Sequence, residues 1–186
     1  MRKRIEYPVS DLLIQPLALE DDLASFSCGV SSLDDFFQKE VVFCHKHGYL
    51  TAYVVRSKKS KSVIGLFALS NDVLSLEEDD VEEIKDKIDD EYKFMLSRQS
   101  SFPAINISHL AVRVDCQGMG VGRIIVFYII AMVKRLRFSG IQFLTVDSMN
   151  NPRTNKFYLD LDFSNRSIDD MGEETRRMFL SIMDYT

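Results

Sequence analysis

The sequence predicts a mixed α+β fold built as one domain of 186 residues. Short apolar, β-branched runs typical of strands alternate with stretches whose apolar residues recur at helical spacing. Near the middle of the chain a strand, a glycine-rich turn, a helix and another strand follow in succession. The hydrophobic content of 46% and the chain length are those of a globular domain with a sizeable core.

The N-terminal part of the chain is predicted to hold a strand and two helices. Residues 14–17 read as a short first strand and residues 19–26 as a helical stretch. Ser31 and Ser32 precede two aspartates at the spacing of an N-cap with an acidic first turn, so a second helix is expected to begin there. Its apolar residues recur with helical period, and Gly48 is expected to end it.

The rest of the chain is predicted to begin with a hairpin. Residues 50–55 and 63–69 are apolar and β-branched, and the polar loop 56–62 joins them. The charged residues 75–98 favour helix but are poorly patterned, which indicates an exposed helical insertion into the single domain. The remaining predicted elements are strand 104–112, helix 121–138, strand 141–146, helix 154–161 and strand 177–182.

The acidic charge of the chain is concentrated in one segment. The formal net charge is −5, but residues 77–91 alone hold ten acidic residues and two lysines. The other residues include 18 acids and 21 Lys and Arg, which leaves a net charge of +3. Outside this segment the chain is therefore mildly basic, and its overall charge does not exclude a nucleic-acid partner.

Several kinds of protein are excluded by what the sequence lacks. The N-terminal residues do not resemble a secretory signal, and the longest apolar run, Ile124 to Val133, is too short to span a bilayer. The three cysteines, odd in number and without metal-ligand spacing, are expected to be reduced thiols. His45 and His47 lack further ligands nearby, so no metal site is predicted. These features indicate a cytoplasmic protein that does not contact membranes.

A glycine-rich loop before the predicted helix at 121–138 is the most informative stretch. Gly118, Gly120 and Gly122 stand at alternate positions and let the backbone turn tightly, so that successive N–H groups point into one concavity. Amide donors at a helix N-terminus bind phosphate groups. However, Arg123 stands where a dinucleotide-binding fingerprint needs glycine, and the Gly-Lys-Ser/Thr of a P-loop is absent. The loop is therefore predicted to bind the phosphates of another kind of ligand.

This loop resembles the pyrophosphate-binding signature of the GNAT acetyltransferases, Gln/Arg-x-x-Gly-x-Gly/Ala. The matching residues are Gln117-Gly118-Met119-Gly120-Val121-Gly122. The second half of the family pattern is similar downstream, with Asn151, Thr154, Phe157-Tyr158 and Asp162-Phe163 at the usual spacings. Thr154 and Asp162 depart from the usual Ala and Gly. The resemblance implies the GNAT fold, in which helices flank a central, mostly antiparallel sheet with splayed middle strands.

The resemblance also implies a reaction, in which an acetyl group passes directly from acetyl-CoA, as co-substrate, to an amine in a ternary complex without a metal. Tyr158 is the implied general acid, which protonates the departing thiolate. His109 either accepts the amine proton, directly or through water, or shapes the substrate pocket. The implied cofactor-binding residues are Leu110, Ala111, Val112, Gln117, Gly118, Met119, Gly120, Val121, Gly122, Arg123 and Asn151.

The N-terminal half resembles the branch of GNAT toxins that acetylate aminoacyl-tRNA. The similar stretches, between about residues 14 and 163, are Phe26-Ser27-Cys28-Gly29, Leu33-Asp34-Asp35-Phe36-Phe37, residues 63–70 and Phe102-Pro103-Ala104. The resemblance implies an aminoacyl-tRNA acceptor, a cognate antitoxin and, by default, a homodimer. Two alternatives stay open: an acetyltransferase of a small-molecule amine or a protein amino group, and a catalytically inactive GNAT binding module.

Overall fold

The structure, a computed structural model, describes residues 6–76, 98–135, 139–166 and 172–182. The insertion predicted at 75–98 falls mainly outside these ranges, as do the last three residues of the helix predicted at 121–138. Within the described ranges, no helix is long and apolar enough to cross a membrane. No group of three or more His, Cys, Asp or Glu side chains in the same ranges is arranged to hold a metal ion.

Apart from segment 19–26, the described strands and helices follow one another in the predicted order. The strands are β1 (Leu12–Pro16), β2 (Thr51–Ser57), β3 (Val63–Ser75), β4 (Ser101–Val112), β5 (Phe143–Met149), β6 (Ser164–Asn165) and β7 (Thr175–Ser181). The helices are α1 (Ser31–Asp35), α2 (Val41–Lys46), α3 (Val121–Arg135) and α4 (Pro152–Leu159). A π-helical turn (Phe36–Glu40) joins α1 to α2. Of the described strands, only β6 was not predicted, because two residues are too short for a recognisable pattern.

The strands form one seven-stranded sheet in the order β1-β2-β3-β4-β5-β7-β6. β4 and β5 are parallel, whereas β1 with β2, β2 with β3, and β7 with both β5 and β6 are antiparallel. Within the described residues β5 pairs with β4 at Ala104, Ile105 and Asn106, although β4 continues to Val112. The predicted GNAT fold, with its mostly antiparallel sheet and helices, is confirmed.

The helix predicted at 19–26 is wrong, because this segment consists of turns and irregular backbone. The carboxylate of Asp21 accepts a hydrogen bond from the Ala18 N–H at 3.0 Å, and the carboxylate of Asp22 accepts one from the Ala24 N–H at 2.9 Å. Aspartates that bond to nearby backbone N–H groups compete with helix formation. These local bonds hold the segment in turns.

The predicted N-cap at Ser31 or Ser32 is also wrong, although the helix itself is present. Val30 is the N-cap of α1 and makes no side-chain capping bond. The Asp34 carboxylate folds back instead and accepts hydrogen bonds from the Ser27 hydroxyl and from backbone N–H groups of the preceding loop. The acidic residue thus stabilises the chain that enters the helix rather than the first helical turn itself.

The chain forms two compact units, and the first comprises Met1–Ser70 and Ile107–Ala131. Glycine at position 65 permits close packing here, because a Cβ there would lie 3.1 Å from Ile125 Cδ1 and 3.2 Å from the Ala111 carbonyl oxygen. Strand β3 therefore closely approaches both α3 and the end of β4. The buried core of this unit contains Leu17, Leu23, Phe26, Cys28, Phe37, Val41, Ala52, Val54, Leu66, Ala68 and Ala111.

The second unit comprises Asn71–Asn106 and Met132–Thr186. A polar network crosses its strands, in which Arg177 pairs with Asp72 and, at 2.7 Å, with Asp147. The Thr145 hydroxyl donates to Asp72 and accepts a hydrogen bond from Asn106 at 3.2 Å. These charges are thereby compensated inside the unit. Its apolar core contains Leu74, Leu76, Phe102, Ala104, Phe143 and Phe179.

Candidate active site

The glycine-rich loop joins β4 to α3 in the first unit. Gly118 and Gly120 have φ values of +75° and +83°, conformations that cost other residues about 1–2 kcal/mol. A Cβ added to either glycine would meet no atom within 4 Å among the described residues, so the surface of the loop is open there. Gly122 lies in the first turn of α3, where no positive φ is needed.

The loop presents a row of backbone donors. Among the described residues, none accepts a hydrogen bond from the backbone N–H groups of 118–123, and the first bond into the helix runs from the Ile124 N–H to the Gly120 carbonyl at 3.1 Å. These donors stand at the N-terminus of the 15-residue helix α3, whose dipole adds positive potential. Arg123 is exposed beside them. Unused amides on an open surface fit a phosphate-bearing ligand such as a pyrophosphate.

The side chain of Gln117 contacts protein groups. Its Nε2 donates to the carbonyl of Cys28 at 2.7 Å and to that of Val112 at 2.8 Å. Its backbone N–H donates to the Val114 carbonyl at 3.3 Å. Gln117 therefore ties the turn to the end of β4 and to a neighbouring loop, and its N–H donors are used in that role.

The last residues of β4 lead directly into this loop. Leu110 and Val112 are half-buried and Ala111 is buried. Beyond them, the Arg113 N–H donates to the Ile64 carbonyl at 2.9 Å, which holds the end of β4 beside β3. The loop thus starts from a strand end that is fixed by backbone bonding.

His109 precedes these residues and stacks on an aromatic ring. Its imidazole lies parallel to Phe36, with ring centroids 3.6 Å apart and an angle of 6° between the planes. Phe37 approaches it edge-on at 6.0 Å. The Nδ1 atom of His109 is buried and has no hydrogen-bond partner among the described residues. Burial lowers the pKa of His109 to about 4, so the imidazole is uncharged near neutral pH and is a weak proton acceptor.

This burial makes stability depend on pH. We expect the unfolded chain to bind a proton at His109 near pH 6.5 and the folded protein only near 4. The free energy of unfolding therefore decreases as pH falls through this interval, by about 1–2 kcal/mol after allowance for partial exposure. Urea unfolding at pH 7 and pH 4.5 should show this loss in the wild type and a smaller one in His109→Phe. Equal losses of unfolding free energy in the two proteins would contradict the low pKa of His109 in the folded protein.

Phe36 was not predicted from the sequence as a site residue. Neighbouring residues of a regular helix cannot face the same side, yet Phe37 is buried in the core while Phe36 covers His109. Both rings reach His109 from the π-helical turn Phe36–Glu40. Such turns are frequent at functional sites. The only sequence signal is the adjacent pair of phenylalanines, which does not by itself identify a π-helical turn.

Asn151 lies in the second unit, where it caps α4. Its Oδ1 accepts the Thr154 N–H at 3.0 Å, and Pro152 occupies the first helical turn. Serine, threonine, asparagine or aspartate at this position satisfies an otherwise unpaired helix N–H. The observed role of the Asn151 side chain is therefore to position the start of α4.

Tyr158 lies in the last turns of α4 and is 5% exposed. Phe157 and Phe163 contact its ring edge-on, with centroids 5.0 and 5.2 Å away. Its hydroxyl forms no hydrogen bond with any described residue. Burial raises the pKa of the phenol, which therefore stays protonated throughout the physiological range. A protonated hydroxyl that no described residue pairs with can donate a proton to a ligand atom.

Asp162, which stands where the GNAT pattern has glycine, follows this helix with a φ of +64°. The pattern prefers glycine at this position because the backbone is left-handed there. Aspartate tolerates that conformation better than most residues do.

The predicted site residues are thus divided between the two units. The first unit brings together His109, residues 110–112 and the loop 117–123 along one continuous stretch. Asn151 and Tyr158 lie together on α4 of the second unit.

Comparisons with known proteins give matches only at the level of structure. No protein-family model matches the chain, and no curated protein does. The structure of AtaT complexed with acetyl-methionyl-tRNAfMet is similar, with 24% sequence identity and a TM-score of 0.71 over 92% of this chain and 95% of that chain. A tyrosine-to-phenylalanine mutant of KacT has 22% identity and a TM-score of 0.72 over 92% of this chain and 95% of its own.

A tyrosine-to-phenylalanine mutant of the AtaT toxin, bound to acetyl-CoA and the C-terminus of the antitoxin AtaR, is also similar. Its sequence identity is 23% and its TM-score 0.69, over 92% of this chain and 94% of that chain. At these identities the likeness shows that the chain shares the fold of these toxins along most of its length.

Proposed function

We propose that the chain is a cytoplasmic acetyl-CoA-dependent N-acetyltransferase that modifies the α-amino group of an aminoacyl-tRNA. The observation that carries this proposal is the row of unused N–H groups at residues 118–123, on an open loop that begins α3. The structural neighbours support it, because they are toxins solved with acetyl-CoA, with an antitoxin and with an acetylated aminoacyl-tRNA.

In this proposal the first unit binds acetyl-CoA. The N–H groups of 118–123 bind the pyrophosphate, and the left-handed Gly118 and Gly120 let those donors reach it. The backbone of Leu110 to Val112 pairs with the pantetheine as an added strand would. One of its amides polarises the thioester carbonyl and stabilises the developing oxyanion. Asn151 contributes by positioning the start of α4.

The proposed reaction also needs a general acid. Tyr158 keeps its proton because burial raises its pKa, and we propose that it gives that proton to the departing thiolate. His109 is a weak base with its pKa near 4. We therefore propose that it shapes the acceptor pocket together with Phe36, and that solvent takes the amine proton.

The partners follow from the same proposal. A tRNA acceptor would interact with the body of the chain, which has a net charge of +3 outside residues 77–91. An antitoxin is proposed because the neighbour AtaT is found bound to AtaR. A homodimer is proposed as the default assembly.

Inducible expression of the full chain tests the function. We expect the wild type to arrest growth and bulk translation, and the purified protein to transfer labelled acetyl from acetyl-CoA to aminoacyl-tRNA. The rate of aminoacyl-tRNA acetylation should decrease steeply with added salt, because cations are released from the RNA when the protein binds it. Normal growth combined with salt-insensitive acetylation of a small amine would favour the alternative of a small-molecule enzyme. Failure to bind acetyl-CoA would favour an inactive binding module.

A further inference from the structure

One arginine in the second unit is buried without a partner among the described residues. Arg176 lies at the second position of β7 and is only 8% exposed. Its Nε atom is enclosed, and no described residue forms a hydrogen bond, an ion pair or a ring contact with its guanidinium. Arginine stays charged at every physiological pH, and a buried charge normally requires a partner. No described residue therefore compensates the positive charge at this point.

The neighbouring arginine, in contrast, forms ion pairs. Arg177 points to the other face of the strand and pairs with Asp72 and Asp147. Glu173 and Glu174 are close to Arg176 in the sequence, yet neither pairs with it. Within the described residues, Arg176 therefore stays unpaired although two carboxylates are close to it in the sequence.

On β5, the residues that neighbour Arg176 on its face of the sheet carry no charge that could balance the guanidinium. Directly across the ladder stands Ser148, which is 2% exposed and whose hydroxyl makes only a long 3.4 Å bond to the next carbonyl. Further along the same face Met178 lies opposite Val146, and both are buried. The neighbours on β5 thus provide a hydroxyl and an apolar group but no negative charge.

A second unsatisfied atom belongs to the adjoining helix. The Oδ1 of Asn155, on α4, is buried and has no partner among the described residues. Its amide nitrogen donates to the Asn150 side chain at 2.9 Å, and the Asn150 N–H donates to the Glu174 carbonyl at 2.9 Å. These bonds connect Asn155 to the chain two residues before Arg176. The Asn155 Oδ1 and the Arg176 guanidinium therefore lie at the same end of the second unit, and neither has a partner among the described residues.

We propose that Arg176 binds the phosphate group of a nucleotide ligand. A guanidinium pairs with phosphate oxygens through parallel hydrogen bonds. The Asn155 Oδ1 suits a ribose hydroxyl, which would donate to it. Two ligands of the proposed function carry a phosphate on a ribose: an RNA and coenzyme A. This inference rests on the proposed function, whose ligands it concerns, although phosphate binding at Arg176 requires no acetyl transfer.

Thermal unfolding of the purified full chain gives the first test. Because an apolar side chain removes the unpaired charge, Arg176→Met should unfold about 2–4 °C above the wild type. Arg177→Met is the matched control and should unfold below the wild type, since it leaves two carboxylates without their partner. Inorganic phosphate should raise the unfolding temperature of the wild type and of Arg176→Lys more than that of Arg176→Met.

Binding measurements then identify the source of the phosphate. If Arg176→Met binds tRNA that carries no amino acid about tenfold less tightly and binds acetyl-CoA as the wild type does, the site binds RNA. If it binds acetyl-CoA about tenfold less tightly and binds that tRNA as the wild type does, the site binds the coenzyme. Neither assay requires turnover, so an enzyme inactive in acetyl transfer could still bind phosphate here. The proposal is overturned if phosphate stabilises wild type and Arg176→Met equally, or if both affinities are unchanged.

Discussion

Replacing Tyr158 by phenylalanine is expected to reduce kcat by about 10²–10⁴-fold while leaving acetyl-CoA affinity nearly unchanged. The reason is that the substitution removes only a hydroxyl, and that hydroxyl has no hydrogen-bond partner among the described residues. The ring contacts with Phe157 and Phe163 remain. Stability should therefore change by no more than about 0.5 kcal/mol. Initial rates of acetyl transfer and calorimetric titration with acetyl-CoA measure the two effects separately.

Tyr53→Phe is a matched control for this experiment. Tyr53 is half-buried, its phenol pKa is raised by burial, and its hydroxyl is likewise unpaired among the described residues. Loss of that hydroxyl should leave kcat unchanged. In cells, growth arrest should persist with Tyr53→Phe and disappear with Tyr158→Phe. Retention of full kcat in Tyr158→Phe would remove this residue from the mechanism.

Gly120→Ala is expected to weaken acetyl-CoA binding by about 10–100-fold. The backbone at this position has a φ of +83°, which alanine adopts only with strain, so the N–H donors of the loop should shift. The added methyl group would also enter the open space through which we propose the phosphates approach. A dissociation constant from calorimetry, measured beside urea unfolding, distinguishes lost binding from lost stability.

The control variant is Gly48→Ala, which carries the same backbone strain at the end of α2. Its φ is +74°, and a Cβ there also meets nothing within 4 Å among the described residues. Both variants should lose about 1 kcal/mol of stability. Only Gly120→Ala should bind acetyl-CoA less tightly. Equal affinities in the two variants would show that the loop does not hold the pyrophosphate.

Much of the loop could be predicted because its chemistry is local. Gly118 and Gly120 predict a left-handed turn from residue type alone, and both have positive φ in the structure. The strand before the loop and the helix after it were predicted from hydrophobic period, and α3 begins at the predicted Val121. The role of Gln117 was less predictable, since its side chain donates to a carbonyl of Cys28, 89 residues away in the chain.

Errors arose where polar side chains bond to nearby backbone. The helix expected at 19–26 is replaced by turns that Asp21 and Asp22 hold, and the N-cap serine is replaced by Val30. In both places a carboxylate accepts backbone N–H groups, an option that a count of apolar spacing does not include. Helix periodicity predicts which residues face the core but not where the flanking aspartates direct their oxygens.

Most of the strands and helices, the glycine loop and the residues that match the GNAT pattern could be predicted, because these features depend on neighbours along the chain. Which groups are buried, and which of those have partners, depends on the folded structure. The low pKa of His109, the raised pKa of Tyr158 and the burial of Arg176 without a partner among the described residues all depend on segments that are distant in the chain. Burial changes the energy of a charge or a hydrogen bond because protein atoms replace the surrounding water. Those atoms belong to residues that are far apart in the sequence.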